Sequence, residues 1–180
     1  MNEIQMEQTV ALYGRDILRF CRITTGNSEA GDELYQDTML ILLEKREKLD
    51  AEQNIKSYAI SVALRLWKNR KQKFLRRLQL VPQDSLEGLA EQGIQPGGES
   101  ISPEELVLKR NQMALVRHLV AQLPEKYRLP VQLFYSADLN ISQISKILKL
   151  PENTVKSRLH RAKEILRRKL EEQEHEGSGI

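Results

Sequence analysis

The residue types and spacings best suited to chemistry lie near the C-terminus, in the stretch ISQISKILKLPENTVKSRLHRAKEILRR. A short amphipathic segment, a break at 149–151 and a longer basic segment form the outline of a helix-turn-helix. On a helical wheel of the longer segment, Val155, Leu159, Ala162 and Leu166 share one arc, which must face a core.

The opposite face of that segment carries side chains that can hydrogen-bond base edges and phosphates in a major groove. Nine basic and two acidic residues between 146 and 170 favour binding to a polyanion of any sequence. A solvated basic face on an ordinary bundle helix is the alternative, but the short helix and tight break favour DNA. We therefore predict duplex binding by Asn153, Thr154, Lys156, Ser157, Arg158, His160 and Arg161.

A second basic stretch, RLWKNRKQKFLRR, spans residues 65–77 and holds seven basic residues and no acid. Trp67 and Phe74 are interleaved with the cations, a pattern that suits unstacked bases and a phosphate backbone. Burial of Trp67 in a core fits the pattern equally well. The preceding segment, GDELYQDTMLILLEKREKL, is acidic in its first half and carries an apolar stripe, which is either core or a docking face.

Apolar residues spaced three and four apart predict helices along nearly the whole chain and no strands, so the predicted fold class is all-α. In the first half, one helix is expected around 10–21 with Gly26 as its stop, a second after a cap at Asn27 or Ser28, and a third over 55–80. In the second half they are expected over 104–122, 124–136, 142–148 and 152–170, with a kink or a late start at Pro130 in the second of these.

Charge divides the chain into three parts, although the total is only +3, from 28 Lys+Arg and 25 Asp+Glu. Residues 81–105 contain six acids, no Lys or Arg, and several Pro and Gly, which favours a linker between two basic lobes. We predict two small helical domains, at 1–80 and 104–172, joined by a flexible acidic linker at 81–103 and followed by a tail at 173–180.

Several functional classes find no support in the sequence. No apolar run approaches the roughly 18 residues of a membrane span, and the N-terminus does not resemble a secretory signal. The single cysteine, Cys21, cannot form an internal disulfide and is expected to be buried. Because no phosphate loop, metal cluster or nucleophile motif is present, we predict no catalytic residue, metal, cofactor or small-molecule substrate.

The chain resembles the extracytoplasmic-function (group IV) sigma factors of bacterial RNA polymerase over nearly its whole length. Residues 125–170 are similar to the family's C-terminal domain, and TVKSRLHRAK at 154–163 is very close to the sequence usual in the family at that place. ELYQDTM at 33–39 resembles the polymerase-binding helix, and IKSYAISVALRLWKNRKQK at 55–73 resembles the helix that reads the −10 element. Met39, Tyr58 and Arg65 depart from the common Phe, Trp and Asn.

The resemblance implies a sigma factor that directs core polymerase to promoters and assists their melting, without being an enzyme. The helix at 32–46 would dock on the clamp helices of the largest subunit, and the loop near 50–57 would hold a flipped −10 base of the non-template strand. The implied docking residues are Leu34, Gln36, Asp37, Met39 and Leu43. The implied −10 residues are Asn54, Lys56, Ser57, Arg65, Trp67, Lys68, Arg70 and Lys71.

The same resemblance implies that the C-terminal domain binds the polymerase flap and reads the −35 element as duplex. It also implies that the chain is regulated by an anti-sigma factor, which in this family is commonly membrane-anchored. The chain itself would then be a cytoplasmic bacterial protein that is held at the inner face of the membrane and acts in a stress response. Two alternatives stay open from the residues: a stand-alone helix-turn-helix regulator acting as a dimer, and a polymerase-bound regulator that does not itself initiate transcription.

Overall fold

The structure is a computed structural model that describes residues 3–49, 54–79 and 103–177. These residues form helices and contain no strand, which confirms the predicted all-α class. The chain divides into two compact units, the first holding the N-terminal helices and the second the C-terminal helices. The predicted linker at 81–103 lies almost wholly outside the described residues.

The N-terminal lobe consists of α1 (Glu3–Thr25), α2 (Ser28–Glu44) and α3 (Ile55–Gln79), with a 3₁₀ turn at Arg46–Lys48. Gly26 adopts a φ of 70° between α1 and α2, a conformation that glycine reaches without steric cost. The Asn27 side chain then accepts a hydrogen bond from the Ala30 amide at 2.9 Å and caps α2, so the predicted stop and cap are confirmed.

The core of this lobe lies where α1, α2 and α3 meet. Ile17, Phe20 and Cys21 of α1 and Leu34 and Leu42 of α2 are all fully buried. From α3, the buried apolar residues are Ala59, Ile60, Val62, Ala63 and Leu64.

Several larger apolar side chains of α1 and α3 lie at the edge of this core rather than inside it. Tyr58 and Leu66 are only half-buried, because α3 turns the small side chains of Ala59 and Ala63 inward and so packs closely on its neighbours. Val10 is 40% exposed, although Met6 and Thr9 in the same part of α1 are buried.

The C-terminal lobe consists of α4 (Pro103–Ala121), α5 (Glu125–Val131), α6 (Ile141–Leu148) and α7 (Glu152–Gly177). Its core includes Leu123, Val131 and Ala162, against which Leu159 and Leu166 pack. The predicted inward arc of the last helix is therefore confirmed.

Two features of this lobe refine the sequence-based expectations. Pro130 lies inside α5, which continues into a π-helical turn at Gln132–Ser136, so the expected irregularity takes the form of a widened turn. α7 runs to Gly177 rather than ending near Leu170. Ion pairs one turn apart, Arg167–Glu171 at 3.7 Å and Arg168–Glu172 at 3.8 Å, favour that extension.

Candidate nucleic-acid and polymerase interfaces

Hydrogen bonds hold both ends of α6, the second of which leads into the turn before α7. Asn140 and Gln143 form a reciprocal capping box at the start of α6, with N···O distances of 2.8 and 2.9 Å. Lys149 ends α6 in the left-handed conformation, and the Ser145 hydroxyl donates to the Leu150 carbonyl at 2.5 Å. The orientation of α7 relative to α6 is therefore set by local structure, as a helix-turn-helix requires.

The outward face of α7 displays most of the residues predicted to bind duplex DNA. His160 and Arg161 have side chains that are 76% and 60% exposed. Asn153, Lys156 and Ser157 are also exposed, whereas Thr154 and Arg158 are half-buried. All seven predicted residues thus lie on or beside one accessible face.

Glu164 interrupts the positive charge of that face. Its carboxylate accepts a hydrogen bond from Arg161 at 2.9 Å and lies 3.5 Å from Nε2 of His160. The hydrogen bond from Arg161 lowers the pKa of the Glu164 carboxyl below its usual value. Glu164 therefore competes with any phosphate that these two side chains could bind.

The start of α3 carries the residues predicted to hold an unpaired base. The Asn54 side-chain oxygen accepts a hydrogen bond from the Ser57 amide at 2.9 Å and so caps the helix. The Ser57 hydroxyl is buried, and the described residues offer it no hydrogen-bond partner. Asn54 itself is exposed, so a polar edge lies beside this first turn.

Lys56 is buried rather than displayed, with a side chain only 11% exposed. Its ammonium group lies 2.7 Å from Oδ2 of Asp16 on α1 and 5.9 Å from the centre of the Tyr13 ring. Direct binding of DNA by Lys56, as the resemblance implies, would require this pair to break. The burial could not be predicted from the sequence, because a lysine is expected in solvent unless it is paired.

The rest of α3 presents a mixed basic surface. Arg65, Lys68 and Lys71 are exposed, and Trp67 is half-buried. Arg70 differs from them, since its guanidinium forms a short ion pair with Asp37 of α2 and lies 3.9 Å from Glu33. Arg70 thus joins α3 to α2.

The docking residues predicted on α2 separate into a buried and an exposed group. Leu34 is fully buried in the core, so it supports α2 from inside and is removed from the docking surface. Gln36 and Leu43 are exposed, while Asp37 and Met39 are half-buried. Leu40, which the sequence analysis missed, is 57% exposed and lies one turn after Gln36. Leu40 could have been predicted from the sequence, because it lies four positions after Gln36 and so on the same face of the helix.

Cys21 is fully buried, which confirms the prediction made for it. Burial raises the pKa of its thiol to about 12. Among the residues that the structure describes, no group of His, Cys, Asp and Glu is arranged to hold a metal ion. The described helices also include none that is long and apolar enough to cross a membrane.

Comparison with known proteins identifies both lobes. The family described as Sigma-70 region 2 matches residues 9–78, and the family described as Sigma-70, region 4 matches residues 113–166. The ECF RNA polymerase sigma factor SigW of Bacillus subtilis is 26% identical over 162 residues, which cover 89% of this chain and 86% of SigW. The chain belongs to the extracytoplasmic-function sigma factors. As a sigma factor, it directs core RNA polymerase to promoters and assists their opening.

Other relatives agree with this assignment. The ECF RNA polymerase sigma-E factor of Escherichia coli K12 is 28% identical over 93 residues, about half of each chain. The fold is similar to that of the sigma factor RpoE from Bartonella quintana, solved with the anti-sigma factor NepR, with a TM-score of 0.73, 18% identity and 92% of this chain and 96% of RpoE covered. It is also similar to CnrH, solved with the cytosolic domain of CnrY, with a TM-score of 0.66, 16% identity and 94% of this chain and 90% of CnrH covered.

Proposed function

We propose that this sigma factor divides promoter recognition between its lobes. The C-terminal lobe, taken as 104–172, reads the −35 element as duplex through the outward face of α7. The N-terminal lobe, taken as 1–80, reads the melted −10 element and docks on core polymerase. The segment at 81–103 links the two lobes, so both can bind one promoter at the same time. Once one lobe is bound, the link raises the effective concentration of the other lobe at its element. The chain needs no catalytic residue, because the core enzyme makes RNA.

The outward face of α7 is the observation that best supports this division. It carries exposed donors and acceptors on a helix whose orientation is fixed by a capped helix and a tight turn. A helix of this kind fits the major groove, where each base pair presents a distinct pattern of donors and acceptors. We assign −35 contacts to Asn153, Thr154, Lys156, Ser157, Arg158, His160 and Arg161.

The capped start of α3 supports the assignment of −10 recognition. Asn54 and Ser57 lie together there, and Arg65, Lys68 and Lys71 follow on exposed positions, where they can carry a phosphate backbone. Trp67 is half-buried beside them on α3 and is the candidate for stacking on a base. A single non-template strand could therefore follow α3 from its first turn, with one base unstacked into the capped end.

Docking on the clamp helices is assigned to the exposed side of α2. Gln36, Leu40 and Leu43 offer a polar and apolar surface, with half-buried Met39 and Asp37 beside it. Exposed leucines are typical of a surface that another protein covers. In the C-terminal lobe, an apolar surface on α4 with Met113 50% exposed and Val116 45% exposed is the candidate for the polymerase flap.

We also propose that an anti-sigma factor holds this protein inactive, and that the regulator is anchored at the inner face of a bacterial membrane. RpoE of Bartonella quintana was solved with an anti-sigma factor, and CnrH with the cytosolic domain of CnrY, which supports a regulator of that kind here. A cytoplasmic sigma factor bound to such a regulator would be released by a stress signal.

The experiment mixes the purified chain with core RNA polymerase that lacks any sigma factor, on fragmented DNA of the host. Sequencing of transcript 5′ ends should reveal discrete starts that share a −35 and −10 pair and are absent without the chain. Polymerase binding without discrete starts would favour a regulator that does not initiate. Tight duplex binding by the full chain without polymerase binding would favour a stand-alone regulator.

A further inference from the structure

Lys56 occupies an unusual position among the basic residues of α3. Its neighbours Asn54 and Ser57 lie at the cap and in the first turn that we assign to the −10 base, whereas its own ammonium group lies against Asp16 of α1. A buried lysine must be paired to remain charged, and the carboxylate of Asp16 is the nearer partner at 2.7 Å, with the exposed Asp138 at 3.9 Å. The Tyr13 ring, one turn earlier on α1, lies 5.9 Å from the same ammonium group.

Asp16 is itself held in place from the other side. Its second oxygen, Oδ1, lies 3.3 Å from Nη2 of Arg19, whose side chain is half exposed. One carboxylate on α1 therefore contacts a surface arginine and the buried lysine of α3. Because Lys56 is the second residue of α3, this contact fixes the first turn of α3 against α1.

The same turn is held at its outer side by the Asn54 cap, whose side-chain oxygen accepts from Ser57 while its carbonyl accepts from the Tyr58 amide at 3.0 Å. The cap sets the backbone of the turn, and the Lys56–Asp16 pair sets where the turn lies on the lobe. A base pocket is selective only when its polar groups are held within a fraction of an ångström.

We infer that Lys56 and Asp16 form a positioning pair that holds Asn54 and Ser57 for recognition of the −10 base, and that Lys56 does not contact DNA. The inference rests on the proposed role of the first turn of α3. It assigns a part in promoter selectivity to Asp16, an acidic residue that simple electrostatics would count as unfavourable for DNA binding.

Asp16→Asn separates the two possible roles of Lys56 by the sign of its effect. If Lys56 binds a phosphate in competition with Asp16, loss of the carboxylate frees the lysine and strengthens DNA binding. If the pair positions the first turn, the same substitution loosens it. We then expect discrimination between the preferred base and other bases in the −10 element to fall by about fivefold or more.

The measurement uses holoenzyme assembled from the full chain and core polymerase, on a promoter found with the wild-type protein by 5′-end mapping. Heparin-resistant open complexes are counted on that promoter and on versions substituted at each −10 position, over a range of salt concentrations. All variants are compared well below their unfolding temperatures, so that loss of fold does not enter the result.

Lys56→Met and the double variant complete the test. We expect each single variant to lose −10 discrimination, the double variant to lose no more than either alone, and −35 preference to be unchanged in all three. The dependence of binding on salt should keep its wild-type slope in Lys56→Met, since no phosphate contact is lost. If Lys56→Met does not fold, Asp16→Asn and Lys56→Arg still decide the question, with Lys56→Arg retaining most of the discrimination.

Two matched controls are available. Glu7→Gln removes an exposed acid from the same helix as Asp16 and should leave −10 discrimination unchanged. Lys68→Met removes an exposed cation from the same helix as Lys56 and should lower the salt slope by about 1 while −10 discrimination stays.

Stronger binding or unchanged discrimination in Asp16→Asn would overturn the inference, as would a reduced salt slope in Lys56→Met. Failure of the proposed function has a different signature, because the wild-type holoenzyme would then form no open complexes at discrete promoters, and the inference would fall with it.

Discussion

The two helices assigned to DNA differ in how their basic side chains are held. On α7, the assigned residues lie on an accessible face, with Glu164 beside Arg161 and His160. On α3, Lys56 and Arg70 form ion pairs with acids of α1 and α2. A duplex offers the same groove to any fitting helix, so a displayed surface is sufficient to read it. A melted strand has no fixed shape, so the protein must hold its own binding residues in place. On α3, paired cations such as Lys56 and Arg70 contribute to that by joining α3 to its neighbouring helices.

The largest effect should come from removing the close packing that supports the N-terminal lobe. In Gly31→Ala, the new Cβ would lie 2.5 Å from Cα of Arg22, a backbone atom that cannot move aside without shifting α1 against α2. We expect a loss of about 3 kcal/mol in the free energy of unfolding of this lobe, measured by chemical denaturation.

Gly14→Ala is the matched control for that substitution. The new Cβ there would meet the Tyr35 hydroxyl at 3.0 Å, the far end of a side chain that can adjust. A loss as large as that of Gly31→Ala would show that the close approach of the two backbones is not what matters.

Next in size, the displayed face of α7 should respond directly to single substitutions. Arg161→Ala should weaken binding of holoenzyme to a −35 duplex by about fivefold or more and lower its salt slope by about 1, if Arg161 binds a phosphate. Glu164→Gln should have the opposite sign, because it frees Arg161 and His160 from a competing carboxylate. Equal affinity in both variants, measured by fluorescence anisotropy, would remove this part of α7 from the interface.

A smaller effect should separate Arg70 from Lys68 on α3. Arg70→Met removes the ion pair with Asp37 and should lower the free energy of unfolding by about 1 kcal/mol, with little change in the salt slope of DNA binding. Lys68→Met should leave the free energy of unfolding nearly unchanged and lower the salt slope of DNA binding. Thermal unfolding and salt titration of DNA binding measure the two effects. If the two variants had the same stability and the same salt slope, paired and exposed cations of α3 would not differ in role.

The smallest effect concerns acid stability. The hydrogen bond from Arg22 lowers the pKa of Asp32 below its usual value, with Nε to Oδ1 at 2.6 Å. A lowered pKa in the folded state contributes stability above the ordinary pKa of an aspartate, about 4, and this contribution is lost as the pH falls through the lowered value. Because both side chains are more than a third exposed, the contribution should stay under about 1 kcal/mol.

The measurement is the difference in unfolding temperature between wild type and Asp32→Asn. It should be present at neutral pH and disappear in acid below the lowered pKa of Asp32. A difference that persisted at the lowest pH would have another origin.

Local signals in the sequence predicted much of this structure. The Asn27 cap, the glycine before it, the break at 149–151 and the inward arc of α7 all depend on neighbouring residues, and the sequence shows neighbours directly. The resemblance to the family was likewise visible in local segments, and it is confirmed. The extension of α7 was missed because the helix was predicted to end at 170, whereas Glu171 and Glu172 pair with the arginines one turn earlier.

What the sequence could not show depends on residues far apart in the chain. Lys56 pairs with Asp16, 40 positions away, and Arg70 pairs with Asp37, 33 positions away. The local sequence pattern therefore does not distinguish these paired cations from the exposed lysines beside them. Leu34 fits a docking motif and a core equally well, and only packing decides that it is buried.

Selection of promoters from a library randomised at the −35 and −10 elements tests the division between the lobes most directly. Holoenzymes carrying wild type, Ser157→Ala or Asn54→Ala would each be used, and the enriched sequences compared. We predict that Ser157→Ala relaxes only the −35 preference and Asn54→Ala only the −10 preference. If either variant altered the element assigned to the other lobe, or if the wild type enriched no paired elements, the proposed division would be contradicted.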